Sequence, residues 1–67
     1  MKLMRFEVRR HRRSGRWMVR LNHSTYGAYI DKEQALFDAI DAARDVQRTG
    51  YDAQVWIRDQ TRTERVL

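Results

Sequence analysis

Hydrophobic and polar residues alternate strictly in two stretches near the start of the chain. Met4, Phe6 and Val8 interleave with Arg5, Glu7 and Arg9, and Trp17, Val19 and Leu21 interleave with Arg16, Met18 and Arg20. A period of two places one set on a core and the other toward solvent, so strands are predicted over residues 4–10 and 16–22. Between them Arg12-Arg13-Ser14-Gly15 reads as a turn in which Gly15 supplies a positive φ, making the pair a hairpin. Pairing each residue i with 27 − i sets Glu7 opposite Arg20, whereas 25 − i sets Arg9 against Arg16 and Arg5 against Arg20. Cross-strand charge pairs gain or lose roughly 0.2–1 kcal/mol each, which favours the first register.

After a His23-Ser24-Thr25 turn, a short third strand is predicted over 26–30. Asp31-Lys32-Glu33-Gln34 reads as a helix start, with Asp31 as N-cap, Gln34 as its capping-box partner, and Ile30 stapled near Ala35. From 32 to 48, Leu36, Ala39, Ile40, Ala43 and Val46 form one stripe at helical spacing, with Phe37 about 100° off its centre. Gly50 is the expected left-handed residue closing the helix. The period then returns to two over 53–58, where Ala53, Val55 and Ile57 alternate with Gln54, Trp56 and Arg58, followed by a tail over 62–67 that either pairs briefly or frays.

These elements amount to an α+β domain, a two-layer β-β-β-α-β arrangement with an antiparallel N-terminal meander, one helix on one sheet face and a further C-terminal strand. The predicted core is the helix stripe with Phe6, Val8, Trp17, Val19, Leu21, Ile30, Val55 and Ile57, and the other sheet face is left uncovered. Sixty-seven residues allow one small domain, residues 1–67, and a core only a few residues deep. Without cysteine there is neither a disulfide framework nor a thiolate metal cluster. The longest uncharged stretch, Leu21–Ile30, is about half the ~20 residues a membrane span needs. The charged N-terminus lacks the apolar run of a secretory leader. The expected setting is therefore soluble and cytoplasmic, with no membrane partner.

Gly15-Arg16-Trp17-Met18-Val19, the helix opening Asp31-Lys32-Glu33-Gln34-Ala35-Leu36, the Ala39 and Ala43 spacing and the final Val55-Trp56-Ile57 strand together resemble a small bacterial family, the domain of unknown function numbered 2188. The likeness spans roughly residues 6–60. Asp31 stands where that family usually has Thr, and Asp59-Gln60-Thr61 replaces its usual Asp-Gly turn. The resemblance implies the fold and carries no activity with it. A weaker likeness is to the three-stranded-sheet DNA-binding domains of the plant AP2 and phage-integrase arm-binding type, in which an Arg- and Trp-bearing sheet face enters the major groove. Gly15-Arg16-Trp17 and the alanine-bearing helix carry that likeness, and Ala28-Tyr29-Ile30 replaces the Gly-x-Phe that precedes the helix there.

Charge adds the functional clue. The net charge is +5, but residues 1–22 hold eight bases against Glu7 alone, a net +7, which leaves −2 for residues 23–67. Such asymmetry points to an acidic partner. Strand parity sets Arg5, Arg9, Arg16 and Arg20 on the uncovered face with Met18, Tyr29 and Trp56, while Arg12 and Arg13 crown the hairpin loop. Arg engages phosphate bidentately and aromatic rings stack on unpaired bases, so this set is the candidate surface for DNA or RNA. The plainer reading is a solvated face with Glu7–Arg20 as a cross-strand pair. A competing function of another class is a homodimer or protein interface through Met18, Tyr29, Phe37 and Trp56.

Other chemistry is poorly served. His11 and His23 bracket the second strand and would lie well over 20 Å apart at ~3.3 Å per residue, so they share no metal. Asp38, Asp41 and Asp45 share one helix side interleaved with Arg44 and Arg48, the pattern of a solvated face. His23-Ser24 with Asp31 lacks the oxyanion loop and pocket of a triad, and no Gly-rich phosphate loop occurs. The expectation is a non-enzymatic binding module with no cofactor, metal or small-molecule substrate.

Overall fold

The structure is a computed structural model and describes residues 2–67. Its elements are β1 (Leu3–Arg10), β2 (Trp17–Leu21), β3 (Ser24–Tyr29), α1 (Lys32–Arg48), β4 (Asp52–Arg58) and β5 (Thr63–Arg65). They form one five-stranded sheet in the order β3-β2-β1-β4-β5, with the helix packed on one face. This is the expected α+β architecture, with the tail pairing as a fifth strand.

The alternating β1 and β2 sequences pair antiparallel in the expected register, Glu7 opposite Arg20 and Val8 opposite Val19. The loop closes as its sequence suggests: Gly15 takes φ 71° and donates its N–H to the His11 carbonyl at 2.9 Å. His11 is a turn residue, its Nδ1 accepting from the Ser14 amide at 3.2 Å. At the next turn the chain departs from expectation. The reversal is made by Asn22 and His23, with Ser24 already paired to Leu21, and Asn22 takes the left-handed conformation at φ 57°. Asn tolerates that conformation better than most residues, and here it is tied across to β1: Oδ1 accepts from the Arg5 amide at 3.1 Å while its own N–H donates to the Arg5 carbonyl at 2.8 Å.

The helix links two parallel strands, because β4 inserts beside β1 rather than beside β3, with Phe6 opposite Val55. Antiparallel neighbours need only a tight turn, but a parallel pair needs a crossover of this length. β1 therefore sits in the middle of the sheet, which its eight residues and two fully buried side chains, Phe6 and Val8, are suited to. On the helix, Ala35, Ala39 and Ala43 recur every four residues and are completely buried. Their small side chains bring the helix close down onto Phe6, Val8, Val19 and Val55, with Leu36, Ile40 and Val46 packing along the flanks. Gly50 ends the helix at φ 95°, and the amides of Thr49, Gly50 and Tyr51 turn back to the carbonyls of Val46 and Gln47.

Three expectations at the helix entry are corrected. Asp31 is the N-cap residue by position, but its side chain makes no capping hydrogen bond, so the capping box with Gln34 does not form. Ile30 belongs neither to the strand nor to the core and is 83% exposed, which removes the proposed staple. Tyr29 lies on the helix side of the sheet, opposite Trp17, rather than on the uncovered face. One cause accounts for both residues. Val19 pairs with Gly27 and Arg20 with Thr25, so Tyr26 is an extra residue bulged out of the ladder. A single inserted residue inverts the parity of everything after it, exchanging the faces of Tyr29 and Ile30. The Tyr26 ring meets Phe6 edge-on at 5.6 Å.

Candidate nucleic-acid interface

The uncovered face is built from alternate residues of every strand. By register it carries Arg5, Glu7 and Arg9 from β1, Met18 and Arg20 from β2, and Thr25 and Ala28 from β3. On the other side β4 adds Asp52, Gln54, Trp56 and Arg58, and β5 adds Thr63 and Arg65. Five guanidinium groups therefore share this face with two carboxylates, at Glu7 and Asp52.

Apart from Arg58, the arginines here fall into two groups. Arg9, Arg12, Arg13 and Arg20, joined by Arg10, surround a concavity of about 430 Å³ whose floor includes Met18 and Thr25. It forms because the hairpin loop carries Arg12 and Arg13 over the end of the face that Arg9 and Arg20 already occupy. Within it the charges are weakly engaged: Arg9 Nη1 lies 3.7 Å from Glu7 Oε1, and Arg20 Nη2 donates to the His23 carbonyl at 3.0 Å. The Glu7–Arg9 pair is half-buried and long, so it holds its guanidinium loosely and leaves it able to meet another anion.

The second group is centred on Trp56. The Arg5 guanidinium lies 4.5 Å above the centre of the Trp56 ring, and the indole N–H donates to Gln54 Oε1 at 2.9 Å. Arg65 is the register partner of Trp56 on its other side. Trp56 is half-buried and already has a cation on one ring face, so a base would stack there against the combined Arg5–Trp56 surface or displace the guanidinium.

The structure does not gather every residue the sequence nominates. Arg16 is exposed at the entry to β2, its carbonyl accepting from the His11 amide at 2.7 Å, and it lies outside the lining of the concavity. Tyr29, on the opposite side of the sheet, has no part in this surface. Burial, followed by the neighbouring Asp38 carboxylate, pushes its phenol from 10.0 up to about 12. Its ring lies across Gly27, where an added Cβ would come within 2.7 Å of the phenol oxygen. The nominated interface set divides as well. Met18 and Trp56 are on the uncovered face on either side of β1, Tyr29 is across the sheet, and Phe37 is 68% exposed on the helix. These four residues form no single patch.

Arg58, Arg65 and Arg10 are the basic residues that the sequence reading passed over. Arg58 is legible in hindsight, because it continues the Gln54–Trp56 alternation. Arg65 required knowing that the tail pairs with β4. Among the described residues no cluster of His, Asp and Glu suits a metal ion, and no helix is long and apolar enough to cross a membrane. Compared with known proteins, the chain matches no family model, no curated protein and no solved structure.

Proposed function

We propose that the chain is a non-enzymatic module that binds nucleic acid with low sequence specificity through its uncovered sheet face. The observation carrying this reading is the concavity between the hairpin loop and the sheet, where five arginines converge with no carboxylate among its lining residues. A phosphodiester backbone supplies closely spaced negative charge that such a set neutralises, and the planar guanidinium matches phosphate oxygens two at a time. Arg9, Arg12, Arg13 and Arg20 serve as phosphate contacts, with Arg16 as an outlying one, and Arg5 with Trp56 offers a flat surface for a base. Homodimerisation through the same face is less well supported, because it would bring two sets of arginines together and has only Met18 and Trp56 as apolar anchors.

Binding of a labelled single strand and a labelled duplex, followed by anisotropy over a range of salt concentrations, tests this reading. The logarithm of the association constant should fall linearly with log salt, by roughly 0.7 per phosphate contact on a single strand and 0.9 on a duplex. Absence of binding at low salt, or an affinity indifferent to salt, overturns it.

A further inference from the structure

A further basic site lies over the top edge of the sheet and shares Arg9, Arg10 and Arg12 with the concavity. β1 and β4 run parallel and end together, and their register sets Arg9 directly beside Arg58. Like charges on neighbouring strands cost roughly 0.2–1 kcal/mol unless something intervenes. Beyond them the chain opens a cleft of about 1000 Å³, lined by Arg9, Arg10, Arg12, Arg58 and Lys32 with Trp17 at its side. Five cations thus border one cleft, against a single lining acid, Asp59. Asp59 Oδ1 accepts from the Gln60 amide at 2.7 Å. Among the described residues, Arg10, Arg12, Arg58 and Lys32 make no ion pair.

The cleft differs chemically from the uncovered face. It turns the sheet's edge, from Arg9 and Arg58 on one side to Arg10 and Trp17 on the other, so its charges surround a volume. The concavity extends from the shared arginines to Arg13 and Arg20 along the sheet face, where a run of singly charged diesters would lie. Cations converging on one cleft suit one compact group of higher charge, because the attractions add at a single point. Lys32 Nζ lies 5.7 Å from the centre of the Trp17 ring, so the indole holds one of the cleft's charges beside its face. The opening turn of α1, beginning at Lys32, contributes the same sign of potential.

We propose that this cleft is a discrete binding site for a phosphate group carrying two or more negative charges. Both a phosphomonoester at the end of a nucleic-acid strand and a free pyrophosphate have that chemistry. Because Arg9, Arg10 and Arg12 line both the cleft and the concavity, Arg58, Lys32 and Trp17 distinguish the cleft, and Arg13, Met18 and Arg20 distinguish the concavity. Trp17 borders the cleft and Trp56 lies on the face.

The experiment is a titration of the labelled full chain with pyrophosphate at constant ionic strength, following both indole N–H resonances. The Trp17 signal and the amides of Arg10, Arg12, Lys32 and Arg58 should shift to saturation while Trp56 stays in place. Lys32→Gln with Arg58→Gln, neither of which lines the concavity, should weaken binding at least tenfold and leave the amide spectrum dispersed. A parallel titration compares one oligonucleotide with and without a terminal phosphate. Tighter binding of the phosphorylated form, with Trp17 shifting, assigns the site to strand ends; saturation by pyrophosphate alone assigns it to a free phosphate compound. Shifts at Trp17 that fail to saturate, that chloride reproduces, or that survive the double substitution overturn the proposal. If Trp56 responds to the oligonucleotide while Trp17 stays silent throughout, the cleft fails and the uncovered face stands. Shifts at Trp17 with Trp56 and the amides of Arg13, Met18 and Arg20 all silent support the cleft and remove the face.

Discussion

The two faces of this sheet are made by the same strands and differ in almost every physical respect. On the helix side, Phe6, Val8, Val19 and Val55 are fully buried beneath three alanines, and no polar or charged residue among those described is buried with them. On the other side, the alternate residues Arg5, Glu7, Arg9, Met18, Arg20 and Trp56 make long-reach, partly solvated contacts such as the 3.7 Å Glu7–Arg9 pair. The first face gains free energy from burial, which is steep in volume and shape. The second gains little from its contacts, because exposed ion pairs and cation–ring contacts are each worth about 1 kcal/mol or less. One side therefore holds the fold, and the other is free to meet a partner without endangering it.

Substitutions that respect this division should separate stability from binding. The largest effect on stability is expected from Phe6→Ala, which empties the centre of the helix-side core. A loss of about 3–5 kcal/mol is predicted, enough to unfold a domain this small, and urea or thermal denaturation would register it. A mild effect would mean that the helix is not seated on β1. Next comes the double change Arg9→Glu with Arg20→Glu. It should weaken nucleic-acid binding by at least about tenfold, equivalent to about 1.4 kcal/mol, while the far-ultraviolet spectrum and melting temperature change little. Unfolding by that pair would place these residues in the core and break the comparison.

Smaller effects sharpen it. Arg5→Ala removes the cation above Trp56 and should cost about 0.5–1 kcal/mol of stability, with a change in Trp56 fluorescence. Unchanged fluorescence would mean that the stacked pair does not persist in solution. The smallest effect concerns Tyr29 and pH. Its phenol ionises at about 12 in the folded chain against 10.0 for a free tyrosine, so the folded state holds the proton more tightly than the unfolded one. Stability from this source is complete below pH 10 and declines as pH rises toward 12. An ultraviolet titration should show one tyrosine ionising late, and Tyr29→Phe should abolish that late phase. If the late phase survives the substitution, Tyr29 is not the phenol that holds its proton.

How far these faces were legible in the sequence follows from what sets each element. The first hairpin was readable down to its register, because two clean alternations flank a loop of fixed length and opposed charges decide between the candidates. The helix was readable over 32–48 because its apolar stripe and Gly50 agree. The third strand was not, because a bulge is a property of the ladder rather than of the strand. Nothing in Ser24–Tyr29 announces that Tyr26 leaves the alternation, so Tyr29 and Ile30 were assigned to the wrong sides. Strand order was also hidden, since the parallel pairing of β1 with β4 joins segments more than forty residues apart. Arg58 could not be placed beside Arg9 without that pairing, nor Arg65 beside Trp56 without the pairing of the tail with β4, and the upper cleft exists only because of the first.

The claim that the uncovered face meets nucleic acid is most directly tested by amide chemical-shift mapping of the labelled chain with a short single strand at low salt. The prediction is that shifts concentrate at alternate residues of β1, β2 and β4 and at Arg12–Arg13, include the Trp56 indole, leave Ala35–Ala43 of the helix unmoved, and fade as salt is raised. Shifts centred on the helix, or a spectrum unmoved by the strand at any salt concentration, would contradict it.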